Sequence, residues 1–267
     1  MIKNRAETNL KEKLDELYAY YNKRRFVHPD PLEFLYNYDD LRDRELVGLI
    51  ASSLAYGRVV QILKSVSTVL EIMSPSPYSF LMNITEKDLM KSFNGFKHRF
   101  TTGDDVVYMM LGAKKIIEDE GSLQNTFLSG YSTSDENILP ALSMFVSRLY
   151  QVTDCQKNSL IPVPDRGSAC KRLNLFLRWM VRQDRVDPGG WSRIDPSKLI
   201  IPLDTHMYSI GTGLKMTRRK QADMRTAIEI TRAFKKIVPD DPVRYDFSLT
   251  RLGIRKEGDP AEFLNSL

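Results

Sequence analysis

Lys171 and Asp204 are the two residues of this chain whose types and settings suggest joint chemistry. Lys171 follows Gly167-Ser168-Ala169-Cys170 and opens a strongly helical stretch. Asp204 sits within Ile200-Ile201-Pro202-Leu203-Asp204-Thr205-His206-Met207-Tyr208. An uncharged lysine amine can attack a sugar carbon and form a Schiff base, from which a strand is cut by β-elimination. A nearby carboxylate can deprotonate that amine or steady an oxocarbenium-like transition state at C1′. The pairing therefore points to base removal from DNA, which requires the target base to leave the duplex for a pocket.

Each half also has an ordinary reading. A lone lysine at a helix start is usually a surface residue, and an aspartate before Thr-His-Met can simply cap a short helix. Capping does not exclude chemistry, because the second carboxylate oxygen stays free for a ligand. Asn174 and Arg178 share a helix face with Lys171, away from the stripe Leu173, Phe176, Leu177, Met180 and Val181. His206 is placed to donate to a phosphate or a base. Of the two tryptophans, Trp179 reads as core, whereas Trp191, in a polar connection, is the candidate for stacking on an extruded base. Tyr56 and Arg58 are candidates for the gap that such a base leaves.

Composition narrows the classes. The 267 residues are 42% hydrophobic and 27% charged, ordinary for a globular chain. No apolar run approaches the ~20 residues needed to span a bilayer, and no signal peptide opens the chain. A cytoplasmic, nucleoid-associated protein is expected. Two cysteines, Cys155 and Cys170, exclude both a disulfide framework and a four-cysteine iron–sulfur cluster. Three histidines argue against a histidine-rich metal site. No cofactor or metal is expected.

The net charge of +5 is modest, but its distribution is uneven. Between Ile210 and Lys236, eight basic residues, among them Lys215, Arg218, Arg219, Lys220 and Arg225, face only Asp223 and Glu229. A second group comprises Arg166, Lys171, Arg172, Arg178, Arg182 and Arg185. Such stripes displace counterions from phosphates, although a solvated helix face looks the same in sequence.

The elements that must position these residues read as helices almost throughout. The spacing predicts helices over Leu10–Tyr21, from Pro31, over Glu45–Tyr56 and from Val59 to Met73. Further helices are expected over Asp104–Glu120 (stopped by Gly121), Ile138–Val152, Lys171–Arg182 and Arg218–Val238. The stretches Asp154–Asp165 and Asp184–Ser197 read as loops. The class is all-α.

Taken together, Lys171 through Asp204 resembles the helix-hairpin-helix DNA glycosylase superfamily, which includes endonuclease III and the 8-oxoguanine glycosylases. Its members carry a Gly-rich hairpin, a catalytic lysine opening a helix, and a Val-Asp-Thr-His or Val-Asp-Val-His segment. Pro202-Leu203-Asp204-Thr205-His206-Met207 is similar to the last of these, and Gly167-Ser168-Ala169-Cys170-Lys171 more loosely to the hairpin. Leu49–Arg58 and Phe96–Phe100 resemble further segments, so a weak likeness covers most of Glu45 to Gly253. In layout the chain looks like a bacterial family nearest to archaeal 8-oxoguanine glycosylases. It departs in keeping only Gly167 of the usual Gly-Val-Gly hairpin, where backbone amides and a monovalent ion grip a phosphate. A connection including Trp191 also lengthens the Lys171–Asp204 spacing to 33 residues.

The resemblance implies two helical lobes with a cleft between them. Residues 45–185 would form a helical-barrel lobe carrying the nucleophile, and 1–44 with 197–267 a second lobe carrying the Asp-Thr-His segment. It implies a monomeric DNA N-glycosylase with associated lyase activity, excising an oxidised purine such as 8-oxoguanine from double-stranded DNA. Lys171 would be the nucleophile and Asp204 the electrostatic stabiliser. Asn174, Arg178, His206, Gly167, Lys215, Arg218, Arg219 and Lys220 would hold the strand. A protein that binds DNA on the same fold without forming a covalent intermediate is the alternative.

Overall fold

The computed structural model describes residues 2–151, 158–254 and 263. Cys155, the first part of the expected loop from Asp154, and most of the stretch after Ile254 lie outside the described residues. What is described is mostly helical, as the periodicity predicts. In chain order the helices are α1 (Ile2–Tyr21), α2 (Leu41–Ser53), α3 (Val59–Ile72), α4 (Pro77–Asn83) and α5 (Glu86–Ser92). A minimal antiparallel hairpin, β1 (Lys97–His98) and β2 (Thr101–Thr102), precedes α6 (Gly103–Glu120). Then come α7 (Leu123–Ser129), α8 (Leu139–Tyr150), α9 (Lys171–Val181), α10 (Thr205–Gly213), α11 (Met224–Ile237) and α12 (Asp246–Ile254). No helix among the described residues is long and apolar enough to cross a membrane.

Two expected helices take a different form. The stretch Pro31–Asn37 is a 3₁₀ helix, capped by the Asp30 carboxylate accepting from the Leu32 amide at 3.0 Å. The last long helix starts at Met224, not Arg218. Asp223 caps it through the Thr226 amide, and the Thr226 hydroxyl donates to the carbonyl of Gln221. With the Thr217 hydroxyl accepting from the Arg219 amide, local side-chain bonds hold 217–223 in a turn.

Helix α2 lies at the centre, and residues 45–53 are all buried. It packs on α9 at Gly48, where a Cβ would come within 3.2 Å of Met180 Sδ and 3.3 Å of the Phe176 ring. The absent side chain permits that approach. The apolar stripe of α9 (Leu173, Phe176, Leu177, Met180) is sealed against this helix and its neighbours.

The connection after α9 departs most from its polar appearance. Trp191 is fully buried, with its ring 5.1 Å from Phe176 and 5.7 Å from Phe127, and its indole Nε1 donates to Glu45 at 2.7 Å. The expectation that Trp191 stacks on a base is therefore corrected: it is a core residue anchoring the connection. Two backbone amides, Gly189 and Trp191, donate to the carbonyls of Trp179 and Met180 and so satisfy the end of α9. Glu45 also accepts from the amides of Leu123 and Gln124, at the start of α7.

Burial pushes the Glu45 carboxyl up to about 7, against the opposing hydrogen bonds of Trp191, Gln124 and Leu123. A carboxyl raised on folding contributes stability that is fully present below its unfolded value near 4.5. That contribution is lost as pH rises through about 7. Between pH 4.5 and 8 the loss should be on the order of 3 kcal/mol. Urea unfolding at several pH values should show this component in the wild type and lack it in Glu45→Gln. Parallel pH profiles of the two proteins would refute it.

Candidate active site: a lysine–aspartate pair at the edge of a cavity

Lys171 is the first residue of α9, and the chain reaches it through two left-handed residues. Gly167 has φ +80 and Cys170 φ +47. Gly167 ends the turn Pro164–Arg166 by donating to the carbonyl of Pro164, and its own carbonyl accepts from Met224. Ser168 forms a β-bridge with Asp223. The entrance of α9 is thus tied to the entrance of α11. The thiol of Cys170 is buried, and burial pushes it up to about 11, which leaves it a poor nucleophile at neutral pH.

Asp204 caps α10. The extended run before it is buried from Leu199 to Leu203, and the Ile201 amide donates to the Thr231 hydroxyl of α11 at 3.0 Å. One Asp204 oxygen, Oδ1, accepts from the Met207 amide at 2.8 Å. The other, Oδ2, lies 3.2 Å from Lys171 Nζ. The two side chains are 36% and 18% exposed, so the pair is reachable by a ligand.

Beside the pair lies a cavity of about 470 Å³. Lys171, Leu175 and Trp179, four residues apart on α9, form one wall. Asp204 and His206 stand at another, while Val59 and Ile62 of α3 and Phe247 of α12 add apolar surface. Asp30, Arg178, Asp246 and Arg251 supply its polar lining. The volume falls in the usual range for small-molecule pockets, ~300–1,000 Å³.

The remaining candidates divide. His206 is exposed and lines the cavity. Arg58 is exposed, at the N-cap of α3. Lys215, Arg218 and Lys220 are exposed, whereas Arg219 is held by Asp223 and the Thr226 hydroxyl. Asn174 is buried under the Gly167–Lys171 turn and donates to the carbonyl of Ala169 at 3.0 Å, so it is a support and not a strand contact. Tyr56 is fastened to the β1–β2 hairpin, its hydroxyl bonded to the His98 carbonyl and Thr101 Oγ1, which removes it as an inserting side chain.

Arg178 is also corrected. It lines the cavity but is spent on carboxylates, pairing with Asp187 at 3.2 Å and with Asp246. Four residues on, Arg182 pairs with Asp187, Asp184 and Asp241. Burial opposes the charge on both arginines and both carboxylates. The carboxylates nonetheless hold the guanidiniums above their usual range, while burial leaves Asp187 raised and Asp246 at about 6. Trp179 is buried, as expected of a core residue, and also lines the cavity, whereas Asp246, Phe247, Arg251 and Asp30 escaped sequence reasoning. The place of Trp179 at the cavity had a sequence signal, since it lies two turns beyond Lys171 on the same helical face.

A family model described as a protein of unknown function (DUF2400) matches residues 30–255, which include every cavity-lining residue except Pro29. No curated protein and no solved structure matches the chain.

The two ion pairs differ in what they contribute. Asp246→Ala leaves the buried Arg178 short of a partner and should cost about 3–5 kcal/mol in urea unfolding at pH 7.5. Lys171→Ala breaks a half-exposed pair and should cost no more than about 1 kcal/mol. Equal losses in the two variants would contradict this division between scaffold and site.

Proposed function

We propose that this chain, which belongs to the DUF2400 family, is a DNA N-glycosylase with associated lyase activity. The single observation that carries the reading is the 3.2 Å approach of Lys171 Nζ to Asp204 Oδ2 at the edge of a base-sized cavity. The resemblance to helix-hairpin-helix glycosylases supports it and suggests an oxidised purine such as 8-oxoguanine.

In this reading a damaged base enters the cavity against Leu175, Trp179 and Phe247. Asp204 accepts a proton from the lysine ammonium, and the freed amine attacks C1′. The new N–C1′ bond replaces the glycosidic bond, and the base departs with its electron pair and takes up a proton. The C1′–O4′ bond then opens to give the Schiff base. Loss of a C2′ proton expels the 3′ phosphate and cuts the strand. The proton that the departing base takes up comes from Asp204, so the carboxylate is ionised again as positive charge develops on the sugar. Exposed Arg58, His206, Lys215, Arg218 and Lys220 are available for phosphates. The two-lobe arrangement belongs to the same reading: Lys171 and Trp179 come from residues 45–185, and Asp204 and Asp246 from 197–267.

Borohydride trapping on oligonucleotides bearing an abasic site, 8-oxoguanine, uracil or an oxidised pyrimidine tests the proposal. A covalent adduct is expected with at least one substrate and should vanish in Lys171→Ala and Lys171→Gln. Asp204→Asn keeps an oxygen for the cap and should slow single-turnover excision by roughly 10²–10³. An adduct that survives loss of Lys171 would move the nucleophile elsewhere. Salt-dependent DNA binding without any adduct would favour a catalytically silent binder.

A further inference from the structure

A second cavity, of about 480 Å³, shares no residue with the first. Lys11, Asp15, Tyr18, Ala19 and Asn22 form one wall, at spacings that keep them on one face of α1 and its C-terminal cap. Arg185, from the connection after α9, and Arg244, just before α12, face them.

Arg244 is the anomaly. Among the described residues, the arginines that are not exposed are Arg44, Arg148, Arg172, Arg178, Arg182, Arg219, Arg244 and Arg251. Each of the others donates to a carbonyl, a carboxylate or a side-chain oxygen. Arg244 donates to none, and its Nε is sealed from solvent without a partner. Its guanidinium lies 4.4 Å above the ring of Tyr18, whose hydroxyl is anchored on Asp184 at 2.9 Å. The ring contact leaves the hydrogen-bonding capacity of the fork unspent. A half-buried guanidinium in that state is costly unless something else accepts from it.

The rest of the lining points the same way. Asn22 is nine-tenths buried, and its side-chain amide makes no hydrogen bond within the described residues. Asp15 is the one carboxylate in the wall, and it is already engaged. Lys11 binds it at 2.5 Å and the Tyr245 hydroxyl at 2.7 Å. Lys11, Arg185 and Arg244 stand against the single carboxylate of Asp15, which both Lys11 and Arg244 hold ionised, so the lining carries an excess of two positive charges around an amide donor. A flat guanidinium fork matches the oxygens of a phosphoryl group in two parallel bonds.

We propose that the cavity between α1 and Arg244 binds the terminal phosphate of a phosphate monoester, with Arg244 as its principal ligand and Arg185 and Asn22 as auxiliary donors. The space exceeds a single oxyanion, so the ester's organic body has room as well. That body is either a free nucleotide or the 5′ end of a DNA strand, and the experiment separates the two.

Titration calorimetry on the full chain would use inorganic phosphate, a deoxynucleoside 5′-monophosphate, and an oligonucleotide with a 5′-phosphate or a 5′-hydroxyl. Saturable binding is expected for at least one phosphorylated probe, at least tenfold weaker in Arg244→Gln and weaker in Arg185→Gln. Arg185 is exposed, so its variant reports on the site even if Arg244→Gln folds poorly. Preference for the mononucleotide identifies a small ligand, and a 5′-phosphate advantage lost in Arg244→Gln identifies a strand end. No binding by any probe, or affinity unchanged in both variants, overturns the proposal. None of these readouts involves Lys171 or Asp204, so they stand or fall apart from the repair chemistry.

Discussion

The structure depends most on the lattice of guanidinium and carboxylate groups built on the back of α9. Arg178 and Arg182 sit one turn apart and are almost completely buried. Between them they hold Asp184 and Asp187 of the following connection, Asp241, and Asp246 at the start of α12. Moving such charges out of water costs several kcal/mol per ion, so the arrangement persists only because every partner is in place. Its effect is geometric. Helix α9 carries Lys171 and Trp179, α12 carries Asp246 and Phe247, and the lattice fixes one against the other. The cavity walls are therefore set by buried electrostatics as much as by apolar packing.

A second buried carboxylate plays a related part on the other side of α9. Glu45 gathers the indole of Trp191 and the first amides of α7, so that three segments distant in sequence meet at one group. Apolar contact alone is non-directional and would leave the rotation of these segments loosely specified. One carboxylate with three aimed donors specifies it. The connection that follows α9 is thus built into the core, which brings Lys171 and Asp204 together although they are far apart in sequence.

Much of this was legible in the sequence, and the failures share a cause. Helix starts at Val59 and Lys171 and the stop at Gly121 follow from local rules, and the structure carries them. The chemical pair stood out because a capping aspartate and a helix-opening lysine each have a local context. Charged residues misled where they were read one segment at a time. Arg178 and Arg182 looked like part of a basic stripe, and Asp184 and Asp187 like solvated loop residues; each is the other's partner, and neither segment alone says so. Trp191 was misplaced for the same reason, since its polar neighbours suggested an exposed loop. Helix α12 left no signal that ties Asp246 or Phe247 to a cavity, because only the fold brings them there.

Asp204 divides its two oxygens between unlike tasks, one spent on starting α10 and the other turned to Lys171. The side chain is thereby held against rotation, and its free oxygen arrives at the lysine already oriented. The helix cap and the ion pair share one functional group, yet they tolerate different replacements. Any short side chain with an acceptor oxygen can begin the helix, whereas only an ionised one can answer the ammonium. A survey of tolerated substitutions scored by folding would thus rate the position as permissive. The same survey scored by the pairing with Lys171 would find it nearly invariant, and the gap between those two tolerances measures how far the carboxylate serves more than the helix start.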